Sequence, residues 1–236
     1  MRVQAILFVC LMGSIALTKN ARADGTEVTA QVKVKYTGTV SASERHSSEG
    51  VVLWLTPVNA DNTKTPVPPK GHYELAQKNK RFVPHLLVVP TGSVVQFPNL
   101  DPFYHNVFSY FNGRRFDLGL YESGSSRSVH FDRSGVSYIF CNIHPEMSAV
   151  VVSVPTQWFA VSSATGEVII PSVPPGSYDL HVWAMGSSDT SLAALSHRIS
   201  VSGFAMDMGA ISVEESPAGA HKNKFGEDYD ESRPLY

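Results

Sequence analysis

Apolar and polar residues alternate with a period of two along most of this chain, and no long stretch repeats at helical spacing. Runs rich in β-branched and aromatic residues are punctuated by Gly, Pro, Asn and Asp, which predicts short strands. They fall at 28–36, 51–57, 85–89, 94–97, 105–110, 128–131, 136–140, 149–154, 167–170, 178–184 and 197–201. Only 191–196 is compatible with a single helical turn. The pattern predicts an all-β protein.

The two ends depart from this pattern. Arg2, the apolar run from Ile6 to Leu17 and the small-x-small sequence Ala21-Arg22-Ala23 have the order of an export leader over residues 1–23. The apolar run is too short for a comfortable membrane span, and nothing later in the chain is longer. A soluble protein exported to the periplasm is expected. From residue 216 to 236 the chain is polar, charged and rich in Gly and Pro, which predicts a flexible tail.

Export sharpens the cysteine arithmetic. The chain has two cysteines, and Cys10 lies in the leader, so the mature chain would keep Cys141 alone and could form no internal disulfide. A lone thiol in an oxidising compartment calls for another occupation, such as metal ligation. The formal net charge is −2, and loss of the leader with its three basic residues and no acid makes it −5. An acidic balance argues against nucleic acid as a partner.

Chemistry concentrates in Cys141-Asn142-Ile143-His144-Pro145-Glu146-Met147, bracketed by the strands at 136–140 and 149–154. One thiolate, two imidazoles and a thioether suit a metal that shuttles between Cu(I) and Cu(II). Cys141, His144 and Met147 would share one loop stiffened by Pro145, and His105, opening another strand, would supply the second imidazole. His85 is the reserve for that place. His130, His181 and His197 lie in strand patterns without ligand spacing, and His46, His72 and His221 lie in polar segments.

The stretch Phe82-x-Pro84, Val89 to Phe97 with Asn99, His105-Asn106-Val107 and Cys141-x-x-His144-x-x-Met147 resembles the cupredoxins, the short ligand loop being most similar to amicyanin and the whole chain to plastocyanin-like or methylamine-utilisation-type bacterial proteins. The resemblance covers about 80 residues. It implies a Greek-key β-sandwich holding one type-1 copper, with Asn106 bonding across to the Cys141 loop and orienting His105. The stretch from Asn112 to Arg127, rich in Gly and Ser, departs from it.

The flanks read differently. Val51 to Leu55, Thr165-Gly166-Glu167-Val168-Ile169-Ile170 and Pro174-Pro175-Gly176-Ser177-Tyr178 resemble the transthyretin-like domains of carboxypeptidase regulatory regions. Residues 24–71 and 156–215 would then be two parts of one flanking sandwich. The copper domain, 72–155, would be inserted between them, with Pro-rich entry and exit.

The combined expectation is a periplasmic one-electron carrier and not an enzyme, since Cys141 and His144 lack an orienting acid for nucleophilic work. An apolar patch of Phe103, Tyr104, Ile143 and Pro145 near His144 would dock a redox partner protein. The alternative is a copper delivery, storage or sensing module.

Overall fold

The computed structural model describes residues 25–37, 47–58, 71–110, 113–216 and 221–229. The leader and His46 lie outside them. In chain order the strands are β1 (Thr26–Tyr36), β2 (Val52–Pro57), β3 (Tyr73–Glu74), β4 (Ala76–Gln77), β5 (Phe82–Val83), β6 (Leu86–Pro90), β7 (Ser93–Pro98), β8 (His105–Ser109) and β9 (Phe116–Tyr121). They continue as β10 (Ser126–Phe131), β11 (Gly135–Phe140), β12 (Ser148–Val154), β13 (Phe159–Val161), β14 (Glu167–Val173), β15 (Gly176–Trp183), β16 (His197–Val201) and β17 (Met206–Glu215). A short helix, α1 (Asp189–Leu195), is capped by Ser188, whose hydroxyl accepts the Ser191 N–H. The architecture is all-β, as the alternation predicts.

The chain leaves one sheet, ordered β13-β2-β15-β16, after Pro57 and returns to it at Phe159, which pairs with Trp54. Beside it lies the sheet β14-β1-β17. Their inner residues, among them Val28, Leu53, Leu55, Ile170 and Leu180, form one apolar cluster. Tyr178 is buried there and donates its hydroxyl to the Pro174 carbonyl, which explains the Pro-x-Gly-x-Tyr pattern at the start of β15. Gly166 turns between β13 and β14 with φ +86°, and a Cβ there would run into the Val32 carbonyl oxygen.

The intervening residues build two larger sheets, β10-β7-β3 and β6-β12-β11-β8-β9, and the two-stranded β4-β5; a second apolar cluster there includes Phe97, Val107, Phe131 and Ile139. Strand β12 joins the two clusters. Ala149 and Val151 face the second, and Val150, Val152 and Val154 face the first. Because successive side chains point to opposite faces, a strand covered on both sides must be continuously apolar. That is why Ala149-Val150-Val151-Val152 breaks the alternation seen elsewhere.

Six strands escape the sequence reading, and two are long enough to explain. In β9 the run Phe116-Asp117-Leu118-Gly119-Leu120-Tyr121 carries an Asp and a glycine at φ +67°, and its pairing with β8 shifts register there. In β17 Gly209 at φ +74° coincides with a register shift against β1. Both are bulged strands, whose extra residue disrupts a period-two signal.

Candidate metal centre

Strand pairing brings the donors together. β8 and β11 are antiparallel neighbours with Phe108 opposite Phe140. Continuing that register sets Val107 across from Cys141 and leaves His105 across from the loop. The loop is closed by two hydrogen bonds, Met147 N–H to the His144 carbonyl at 3.0 Å and Cys141 N–H to the Met147 carbonyl at 3.2 Å. His144-Pro145-Glu146-Met147 is therefore a β-turn with proline at its second position, where a fixed φ is favourable. Beginning a strand immediately after Met147 leaves the loop no slack.

His105 Nδ1, His144 Nδ1 and Cys141 Sγ converge. The sulfur is 3.8 Å from His105 Nδ1 and 3.6 Å from His144 Nδ1, and the two nitrogens are 3.1 Å apart. A point equidistant from the three atoms lies about 2.0 Å from each, the length of a metal–imidazole bond. These three residues form a group able to hold a metal ion. Met147 is fully buried in the same apolar cluster as Cys141 and Ile143. His85 is exposed, with its Nδ1 3.0 Å from the Ser148 carbonyl, and stands apart from the group.

The His105 proton is placed to leave its inward nitrogen free. His105 Nε2 donates to Asp101 Oδ2 at 2.8 Å, and both side chains are buried. Because a carboxylate only accepts, the ring proton sits on Nε2 and Nδ1 keeps its lone pair. Burial lowers the His105 pKa despite the acid beside it. Burial, then the neighbouring His105, lowers that of His144. Burial pushes the Cys141 thiol up, opposed by backbone N–H groups of Asn106, Ile143 and His144 directed at the sulfur.

Asp101 was not singled out by its residue type, yet it is the most elaborately held side chain near the centre. Burial acts to raise its pKa, but N–H donors from Lys80 and Asn79 and the His105 ring outweigh it and hold the carboxyl below its usual range. Those two amides come from the tight turn between β4 and β5, where Lys78 and Arg81 exchange backbone hydrogen bonds. Asn79 and Lys80 have φ of 55° and 53°, the pattern of a hairpin turn that splays its central N–H groups outward. Asn99, fully buried, accepts the Asp101 N–H and donates to the Phe103 carbonyl, fixing the loop that leads into His105. An Asp four residues before the candidate histidine, in Pro98-Asn99-Leu100-Asp101-Pro102, was the available signal.

Three expectations are corrected. The Asn106 side chain does not bond to the Cys141 loop. Its Nδ2 donates to Asp117 at 2.7 Å, and it is the backbone N–H of Asn106 that reaches the sulfur. Ile143 is buried in the core and cannot belong to a surface patch, whereas Tyr104 and Leu100 are exposed and Phe103 lies against both imidazoles. Residues 221–229, within the segment predicted to be a flexible tail, lie against the ligand loop. His221 stacks on Phe140, and the Tyr229 hydroxyl donates to the Cys141 carbonyl at 2.7 Å.

No protein-family model and no curated protein sequence matches the chain. Solved structures do show partial likeness. A purple cupredoxin from Nitrosopumilus maritimus is 22% identical over 35% of this chain and 99% of its own, at a TM-score of 0.32. An amicyanin mutant in the Cu(I) state is 18% identical over 42% of this chain and 98% of its own, at 0.33. The neighbours are cupredoxins. A copper-containing nitrite reductase from Thermus scotoductus SA-01 is 17% identical over 51% of this chain but only 28% of its own, at 0.35. With scores this low, the assignment of the centre rests on its own geometry. Among the described residues, no helix is long and apolar enough to cross a membrane.

Proposed function

We propose that the protein is a type-1 copper protein that carries single electrons in the periplasm, with a cupredoxin-like sandwich inserted into a flanking transthyretin-like one. His105 Nδ1, Cys141 Sγ and His144 Nδ1 would hold the copper, and the Met147 thioether would serve as a fourth, weaker donor. The observation that carries this reading is the convergence of two imidazole nitrogens and one sulfur within 4 Å of each other, with the His105 proton held on its outer nitrogen by Asp101. When bound, copper supplies one-electron redox chemistry, for which this mixed soft and borderline donor set is suited.

The chain's own residues do the rest. Asp101 keeps the His105 proton on the outer nitrogen, which orients the ring and raises its donor strength. The N–H groups of Asn106, Ile143 and His144 face the sulfur and stabilise its thiolate form. Phe103 and the apolar cluster around Met147 keep water from the donors. Strands β8, β11 and β12 fix the donor positions before metal arrives, so little structure need move between oxidation states. Exposed Tyr104 and Leu100, near His105 in the chain, and exposed Pro145, next to His144, offer surface suited to a small transient contact with a redox partner.

The test is reconstitution with Cu(II), followed by visible and electron paramagnetic resonance spectra of the wild type and Cys141→Ser. An intense thiolate-to-copper band that disappears in Cys141→Ser supports the ligand set, and a band that survives removes Cys141 from it. Repeated oxidation and reduction without copper loss supports the carrier. Release of copper to an acceptor at each reduction would instead favour a delivery module.

A further inference from the structure

The segment 221–229 contacts the loop that carries Cys141 and, separately, Asp117 of β9. On the loop side, the Tyr229 hydroxyl donates to the Cys141 carbonyl at 2.7 Å, and the Lys224 N–H donates to Asn142 Oδ1 at 3.0 Å. His221 stacks on Phe140 at 4.1 Å between ring centroids, and Tyr229 meets the edge of His221. On the strand side, Lys224 Nζ reaches Asp117 Oδ2 at 2.8 Å, in a pair that is mostly shielded from solvent. The other oxygen of Asp117 accepts the Asn106 side chain, and Asn106 is one of three residues whose backbone N–H points at the sulfur.

One nine-residue stretch thus ties residues 141–142 to β8 and β9 through a continuous chain of contacts. The direct β11–β8 pairing described for this region is a single register pair, Phe108 with Phe140. Beyond that pair, Cys141 and Asn142 leave the sheet. A carbonyl and a side-chain oxygen there are met by donors from the tail. Charge follows the same plan: burial acts to raise the Asp117 pKa, and the Lys224, Gly119 and Asn106 donors outweigh it.

We propose that residues 221–229 form a clasp that positions the thiolate loop, with Tyr229 and Lys224 as its positioning residues. This rests on the copper reading for its consequence but not for its existence. By holding the Cys141 peptide and the Asn106 strand in one register, the clasp fixes the N–H groups around the sulfur. It thereby sets the energy of the copper–thiolate bond.

The test uses the full chain and the variants Tyr229→Phe, Lys224→Ala and Lys224→Arg, in two measurements. In the metal-free protein, amide hydrogen exchange at Ile143 and His144 should quicken about five- to tenfold in Tyr229→Phe, the loss of one hydrogen bond. It should quicken in Lys224→Ala and return towards the wild-type rate in Lys224→Arg. With Cu(II) added, Tyr229→Phe should shift the thiolate band and lower the reduction potential, because an electron-withdrawing donor to the Cys141 carbonyl is lost. Unchanged exchange in both Tyr229→Phe and Lys224→Ala would overturn the clasp. Absence of any thiolate band in the wild type would overturn the copper reading, while the exchange rates would still decide the clasp.

Discussion

Asp101 illustrates how one side chain can set the chemistry of another. Its carboxylate is satisfied by two backbone amides and one ring N–H, so it stays ionised although buried. Removing its charge should weaken its hold on the His105 ring without emptying the core. Asp101→Asn is expected to lower copper affinity about 10- to 100-fold, as loss of an outer partner of a ligating histidine does. A competition titration against a chelator measures this, with circular dichroism to confirm the fold; unchanged affinity would remove Asp101 from the centre. The three donors that the fold gathers, His105, Cys141 and His144, were legible because ligand chemistry restricts residue type and spacing. Asp101 was not, because a carboxylate near a histidine has many commoner uses, and its role emerges only when the β4–β5 turn delivers its amides from 21 and 22 residues upstream. Tyr229 and His221 were illegible for the opposite reason. Their partners are a main-chain carbonyl and a ring face, neither of which leaves a motif.

Strand β12 carries the relation between the two apolar clusters. Its alternate residues serve different cores, so neighbouring substitutions should have separable effects. Val150→Ala and Val151→Ala should each destabilise the fold by about 2 kcal/mol, from lost burial and an unfilled cavity. Only Val151→Ala, on the Cys141 side, should also loosen the metal centre. Urea unfolding and copper titration together check this, and equal effects on copper binding would contradict the two-faced assignment. Most strand positions could be read from alternation and turn residues. The bulged β9 and β17 could not, since an extra residue at Asp117–Gly119 or Gly209 destroys the period on which that reading depends. The β9 omission hid the most consequential contact, because Asp117 links the tail to Asn106.

At the scale of the whole molecule, a cleft is lined by Glu49, His85, Met185 and Glu215. Burial pushes the Glu215 carboxyl up to about 7 despite a hydrogen bond from Tyr36. The folded state therefore holds a proton that the unfolded chain releases near 4.5, and stability should fall as pH rises from about 4.5 to about 7. Glu215→Gln should flatten that slope in thermal melts; an unchanged slope would show that Glu215 titrates normally. The chain leaves and re-enters the sheet containing β2 and β13, while the Pro-rich entry expected at 66–71 lies, except for Gly71, outside the described residues. How the tail would pack was not legible in the sequence, because a polar segment without periodicity carries no record of its docking surface. The account as a whole stands on the donors gathered at the end of β11. X-ray absorption at the copper edge of the reconstituted protein reads that set directly. It should show one sulfur and two imidazole nitrogens as nearest neighbours, with a second sulfur farther out. A first shell of nitrogen and oxygen alone would contradict it.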